Sequence, residues 1–224
     1  MKRDLPVLND IYEATYEDAR GRETTHIYND GQELRISLRG IEFIGTDFDG
    51  FEPIPEHLER SHSLFPLNRT ELCSCHLEWT MPLKLEHAGE ICTGMLTASL
   101  KLGDPAPNGG IEAEVLVLEL KTPTQTVRSS NRSEDWFEFK MQELVEQLGE
   151  DWHIHSCFTC AFGDYGNILG GHGLFGGIAC FRDVKAEYLQ VKGKGRGEFF
   201  SVWSRRTAFV QETYLCEEYE AKVS

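Results

Sequence analysis

Two short clusters of cysteine and histidine contain the residue types that bind metal ions. The first is Cys-Ser-Cys-His at residues 73–76, and the second lies at residues 153–160. In a β-strand, residues i and i+2 lie on the same face, so Cys73 and Cys75 would lie side by side. The C-x-x-C spacing in the second cluster allows two thiolates to turn onto one ion, and a structural zinc takes four ligands in a tetrahedron. We therefore expect one zinc ion to join the two clusters through Cys73, Cys75, Cys157 and Cys160.

Other ligand sets for this ion remain open. Cys180 and Cys216 could complete a second tetrad with the thiols of the C-x-x-C motif, Cys157 and Cys160. His172, which lies between two glycines, could replace one thiol. The alternative without a metal is that the thiols are buried and inert, because free cysteine is among the most buried residue types.

Two histidines in the second cluster favour a different kind of site. His153, His155 and Cys157 share one face if the strand is regular. Such a site would be less closed and could hold a water molecule, as catalytic metal sites do. Asp164 or a glutamate could then serve as the acid or base. This alternative, a metal-dependent enzyme, predicts a pocket at the glycine-rich segment of residues 163–177.

A third alternative is a thiol redox sensor that uses Cys157 and Cys160. A reactive C-x-x-C pair lies at the N-terminus of a helix, where the pKa of a thiol falls. The residues after Cys160 have the composition of a loop, which weighs against this role. The odd number of cysteines, seven, also argues against a disulfide framework in a reducing compartment.

Charge limits the partners of the protein. The 224 residues include 22 Lys and Arg against 37 Asp and Glu, a net charge of −15. A chain this acidic is a poor general binder of nucleic acid or of an anionic membrane. Another protein, with a basic surface, is the partner that this charge suits. The acidic N-terminal stretch lacks the apolar core of a signal peptide, so we expect a cytoplasmic location.

The elements that position the cysteines follow from hydrophobic periodicity. Residues 20–122 contain alternating stretches separated by turns, which predicts a meandering antiparallel sheet or one half of a sandwich. A helix is expected from residue 131 or 133 to Leu148. Its apolar residues share one helical face: Phe137, Met141, Leu144 and Leu148.

Further helices are expected at residues 182–191 and 198–215, so residues 131–216 would be helix-rich around the glycine-rich loop of residues 163–177. Strands first and helices later predict an α+β fold, in which an N-terminal antiparallel sheet or sandwich half carries C-terminal helices packed on it. We expect residues 1–224 to form a single domain.

Two other charged segments have simpler interpretations. Asp47 and Asp49 form a D-x-D-G fragment that lacks the remaining ligands of a calcium loop, so we predict a solvated turn there. Residues 192–197 alternate Lys or Arg with Gly, and we interpret this basic run as an exposed turn.

Four stretches of the sequence resemble those of a known family. They are C-S-C-H-L-E-W from Cys73, C-F-T-C-A-F-G-D-Y from Cys157, G-L-F-G-G-I-A-C-F-R from Gly173 and F-V-Q-E-T-Y-L-C from Phe209. With these motifs the chain resembles a family of bacterial proteins, common in actinobacteria, that is catalogued only as a domain of unknown function. The likeness covers most of the chain. It implies a stand-alone bacterial cytoplasmic protein and supports the cysteine clusters, but it implies no activity or ligand.

The sequence as a whole therefore predicts an acidic cytoplasmic protein that works as a protein-binding or accessory module. A zinc ion ligated by cysteine would stabilise its fold.

Overall fold

The structure is a computed structural model that describes residues 10–132, 136–165, 175–191 and 197–222. Antiparallel strands dominate it. In chain order they are β1 (Asp10–Asp18), β2 (Gly21–Asn29), β3 (Leu34–Leu38), β4 (Ile41–Gly45), β5 (Glu52–Pro53), β6 (Leu67–Asn68), β7 (Glu71–Leu72), β8 (Cys75–His87), β9 (Glu90–Leu102), β10 (Glu114–Lys121), β11 (Thr126–Arg128), β12 (Trp152–His155), β13 (Gly163–Asp164), β14 (Ile178–Cys180) and β15 (Ala208–Val210). The helices are α1 (Leu58–Leu64), α2 (Phe137–Leu148), α3 (Lys185–Leu189) and α4 (Gly197–Trp203).

One large antiparallel sheet contains most of these strands, in the order β11-β10-β9-β8-β1-β2-β3-β4-β5. The long strand β8 organises it, because β9 pairs along the whole of one edge while β1 and β12 share the other. Residues on β8 alternate between buried and more exposed positions, as a sheet with one packed face requires. The antiparallel sheet predicted for residues 20–122 is therefore present, and it begins earlier, at Asp10. It is not one continuous meander, because β1 lies between β2 and β8 and separates the run β2–β5 from the run β8–β11.

The helix predicted from residue 131 or 133 to Leu148 is present as α2, but it begins later, at Phe137. The apolar residues on one face of α2 are buried, as the helical period predicts: Phe137, Met141, Leu144 and Leu148. The helix packs against β10, β11 and β12, and ends at Gly149, whose φ of 85° is readily available to glycine. This one helix covers part of the inner face of the sheet.

The α+β prediction is wrong, because the described structure is mostly antiparallel β-sheet with a few short helices, and its C-terminal part is not a set of helices packed on that sheet. The helix expected at residues 198–215 ends at Trp203, and Ala208–Val210 form β15 instead. β15 pairs with β14, which also pairs with β13, in a small three-stranded antiparallel sheet. Phe209 and Val210 lie in a run too short to distinguish strand from helix by periodicity, and pairing with β14 decided between them.

The expected helix at residues 182–191 is present only as a 3-10 turn followed by the five residues of α3. Most of the glycine-rich loop of residues 163–177 and the basic run of residues 192–197 lie outside the described residues. None of the helices in the described ranges is long and apolar enough to cross a membrane. The single-domain organisation of residues 1–224 stays a prediction.

Candidate functional site: a cluster of four cysteines

Four cysteines from three separate segments lie near one another beside the small sheet. Cys157 opens a 3-10 turn and Cys160 follows that turn, while Cys180 ends β14 and Cys216 lies in the irregular C-terminal chain. The thiol of Cys157 lies within electrostatic range of the other three, and the thiol of Cys180 lies within range of Cys160 and Cys216. This is the second of the two thiol tetrads that the sequence allows.

Backbone hydrogen bonds hold these segments together. The amide of Cys157 donates to the carbonyl of Tyr214 at 2.6 Å, which fixes the C-terminal chain two residues before Cys216. Gly163 pairs with Cys180 across β13 and β14, and this pairing places Cys180 beside the chain that follows the C-x-x-C motif. A capping box of Ser156 and Thr159 closes the 3-10 turn, so the backbone around the first two thiols is well defined.

The thiols of the cluster are poorly solvated. Cys157, Cys160 and Cys180 are buried, and Cys216 is partly exposed. Burial raises the pKa of Cys157, and the neighbouring thiols raise it further. Burial also raises the pKa of Cys180, although a hydrogen bond from the backbone of Arg182 opposes the shift. Because their pKa values are raised, Cys157 and Cys180 are neutral thiols and weak nucleophiles at neutral pH.

One positive charge already lies beside the cluster. The guanidinium of Arg182 is within electrostatic range of Cys180, Cys216 and Cys157. Its Nε atom is buried and has no hydrogen-bond partner in the described structure. A guanidinium within electrostatic range of several thiols would stabilise negative charge there, such as that of thiolates.

The side chains are not yet arranged as metal ligands. Within the described ranges, no group of three or more His, Cys, Asp or Glu side chains is placed so that it could hold a metal ion. His172, the predicted substitute ligand, lies outside the described residues. A metal bound to the four cysteines would therefore require their side chains to rotate toward a common point.

The other predicted pair, Cys73 and Cys75, lies elsewhere in the fold. Both side chains are buried at the start of β8, and the Tyr16 hydroxyl near Cys75 donates its hydrogen bond to Asp18 at 3.1 Å. Burial raises the pKa of Cys75 to about 12. Ser74 between them adopts a φ of 47° and bonds to Asp104 through its hydroxyl.

Strand geometry shows how far this pair is from the cluster. His155 pairs with Lys84 on β8, nine residues beyond Cys75, which corresponds to roughly 30 Å at about 3.4 Å per residue. Cys157 is only two residues from His155. The structure thus does not bring Cys73 and Cys75 to Cys157 and Cys160.

The two histidines of β12 have separate environments. His155 bonds through Nε2 to the carboxylate of Glu86 at 2.9 Å and stacks on Tyr219, with ring centroids 5.0 Å apart. His153 is exposed and lines a groove of about 430 Å³, which Asp164 and other residues also line. A cavity therefore does lie at the start of the glycine-rich segment, but Cys157 belongs to the thiol cluster instead.

A buried carboxylate that sequence reasoning missed closes the base of the glycine-rich segment. Glu212 accepts hydrogen bonds from the Tyr165 hydroxyl at 3.0 Å and from the amides of Gly176 and Gly177 at 2.7 and 3.2 Å. Burial raises its pKa, and the amide hydrogen bonds oppose that shift. The neighbouring Gln211 exchanges two hydrogen bonds with Asn29 of β2, which ties this segment to the large sheet. The only sequence signal was a polar Gln-Glu pair directly after an apolar stretch.

Comparison with known proteins gives a family and no activity. A family model described as "Family of unknown function (DUF6304)" matches residues 10–163. These residues include the large sheet, Cys73, Cys75 and the C-x-x-C motif, whereas Cys180 and Cys216 lie beyond the match. No curated protein and no solved structure matches the chain.

Proposed function

The chain belongs to DUF6304, a family of unknown function, and we propose from its own residues that it is a protein-binding module whose C-terminal part is held by zinc. The ligands are the four thiols of the cluster, Cys157, Cys160, Cys180 and Cys216. In this proposal the metal does structural work: it joins the 3-10 turn, β14 and the C-terminal chain.

The observation that carries the proposal is the convergence of these thiols from segments up to 59 residues apart in sequence, from Cys157 to Cys216. Four thiolates in a tetrahedron are a common structural zinc set, and zinc lowers the pKa of coordinating thiols so that they deprotonate. The small sheet has few residues to bury, and a metal would compensate for that small core. The proposed set replaces the one that included Cys73 and Cys75.

Two observations weigh against the alternatives of a redox sensor and a metal-dependent enzyme. A redox sensor needs an accessible thiolate, whereas burial raises the pKa of both Cys157 and Cys180. A metal-dependent enzyme around His153, His155 and Cys157 would need all three side chains at one point. His155 instead contacts Glu86, and Cys157 belongs to the thiol cluster.

The proposed partner is another protein with a basic surface, because the chain has a net charge of −15. A cytoplasmic, bacterial setting fits this proposal, since a reducing compartment keeps the cysteines available for a metal. Such a partner should associate at a rate that falls as ionic strength rises. Surface plasmon resonance with a co-purified partner measures this, and a rate independent of salt would contradict an electrostatic role for the acidic surface.

Elemental analysis tests the metal. We expect the protein, purified without metal-affinity steps, to contain about one equivalent of zinc. Cys180→Ser and Cys216→Ser should each lose most of it, whereas the control Cys92→Ser, at a partly exposed cysteine packed on the core of the large sheet, should keep it. Replacement by Co²⁺ should give the absorption of tetrahedral thiolate ligation, and that spectrum should vanish in the same two variants.

Two results would reject this assignment. One is less than about a tenth of an equivalent of metal together with seven freely titratable thiols, which would make the cysteines buried and inert. The other is full metal content in Cys180→Ser and Cys216→Ser with loss in Cys73→Ser, which would return the ligand set to the first cluster.

A further inference from the structure

We propose that a cleft between β15 and the turn joining β2 to β3 binds a small organic anion, a carboxylate or phosphate monoester on a flat apolar group, through Arg206. The cleft has a volume of about 500 Å³, within the usual range for small-molecule sites. One wall is the chain from Ser204 to Gln211, and the other includes Gly31, Gln32 and Thr46. None of the four cysteines of the cluster lines this cleft.

Arg206 is a cation held in place by aromatic rings. Its guanidinium carbon lies 4.4 Å from the centroid of Phe209 and 5.5 Å from that of Trp203. Nη1 donates to the carbonyl of Trp203 at 3.1 Å. These contacts restrict the side chain without neutralising it, and within the described ranges no carboxylate forms an ion pair with it. The remaining guanidinium N–H groups are therefore available to a ligand, in the planar fork that matches carboxylate and phosphate.

The cleft is an exception on an acidic protein. The chain has 37 acidic residues, yet none of the described residues that line the cleft is Asp or Glu. The carboxylate of Asp30, next to Gly31, accepts hydrogen bonds from the amides of Gln32 and Glu33 at 2.9 and 2.7 Å. An unpaired cation in a cleft without acidic side chains creates a local positive potential that the rest of the surface opposes. The cleft therefore selects an anion.

Its shape and lining indicate an organic anion instead of a bare inorganic one. The volume exceeds what one phosphate group fills, and Phe209, on the rim, leaves 46% of its surface exposed. The flat apolar group of a ligand can pack on the exposed ring of Phe209, while its anionic group bonds to the guanidinium of Arg206. Hydroxyl and amide side chains on both walls, such as Thr46 and Gln32, can bond to the ligand's polar atoms.

Titration with simple probes tests the site. Phenyl phosphate and benzoate are the organic anions, while inorganic phosphate and benzyl alcohol supply the charge and the ring separately. In isothermal titration of the full chain at low ionic strength, we expect one saturable site for at least one organic anion. Inorganic phosphate and benzyl alcohol should each bind at least about tenfold more weakly than the preferred organic anion, because both the ion pair and the apolar contact contribute to the affinity. The preferred anion identifies the head group as carboxylate or phosphate.

Variants assign the binding to Arg206. Arg206→Ala should abolish saturable binding, and Arg206→Lys should weaken it about tenfold, because an ammonium keeps the charge but loses the planar fork. The matched control is Arg205→Ala, since Arg205 lies next in sequence but pairs with Glu187 at 2.9 Å and does not line the cleft. Arg206→Lys keeps the test valid if Arg206→Ala does not fold. The proposal is overturned if no organic anion saturates the protein below about 10 mM, or if both Arg206 variants bind as the wild type does.

Discussion

At the scale of single residues, the structure turns a fragment that looked like a solvated turn into a buried acidic pair. Asp47 and Asp49 are partly buried and hydrogen-bonded to each other, and one oxygen of Asp49 is buried without a partner. Burial and the charge of Asp49 raise the pKa of Asp47 to about 7. Burial and the charge of Glu114 raise the pKa of Asp49 to about 6, against the bond from Asp47. Spacing alone could not predict this, because burial comes from packing of distant strands.

This pair predicts a pH dependence of stability. A carboxyl with a raised pKa in the folded state favours folding when protonated, so its contribution is full below about pH 4 and is lost as pH rises toward about 7. Asp47→Asn should therefore raise the free energy of unfolding at pH 8 by about 1–2 kcal/mol and change it little at pH 4. Urea unfolding at both pH values measures the difference.

The exposed Glu13→Gln on β1 is the control and should give the same small change at both pH values. A loss of stability in Asp47→Asn at pH 8 would show that the carboxylate is stabilised there, contrary to this account.

At the scale of elements, the C-terminal region is joined by polar bonds as well as by apolar packing. Glu212 holds Tyr165, just after β13, and Gly176 and Gly177, just before β14. One carboxylate therefore joins the end of β13 to the start of β14, the strand that carries Cys180. Hydrophobic periodicity could not predict the role of Glu212, because its hydrogen-bond partners are 35 to 47 residues away in sequence.

Glu212→Ala should lower the free energy of unfolding by at least about 2 kcal/mol, because it leaves buried donors of Tyr165, Gly176 and Gly177 unpaired. Hydrogen exchange should accelerate at the amides of Gly176 and Gly177 more than in the large sheet. Mass-spectrometric exchange and chemical denaturation provide these two measurements.

Glu217→Ala removes an exposed glutamate five residues away and should change stability by no more than about 0.5 kcal/mol. Unchanged exchange at both glycines in Glu212→Ala would mean that the carboxylate does not hold the base of the segment.

At the scale of the whole molecule, the protein carries a net charge of −15. Repulsion between these negative charges lowers the free energy of unfolding. Raising the ionic strength from about 10 to 150 mM shortens the screening length from about 30 to 8 Å. At pH 8 we expect the Tm to rise by about 2–4 °C in calorimetry, equivalent to about 1 kcal/mol for a chain of this size.

The same salt series near pH 5 is the control, because the sequence pI is about 4.9 and net repulsion is small there. An equal rise in Tm at both pH values would indicate a general salt effect on burial, and would contradict the electrostatic explanation.

Some features of this protein follow from the sequence by itself. The acidic charge is a property of composition. The alternating strands within residues 20–122 and the buried stripe of α2 follow from periods of 2 and 3.6, because local geometry sets which side chains share a face. The residue types of a metal site were also visible, but two thiol tetrads remained open.

Tertiary structure decided the rest, because the interactions concerned join residues far apart in the chain. It put Cys157 beside Cys180 and Cys216, and it left Cys73 at the other end of β8. It made residues 208–210 a strand, since pairing with β14 outweighs the weak preference of three residues. It also gathered the walls of the Arg206 cleft from chain positions that no spacing rule connects.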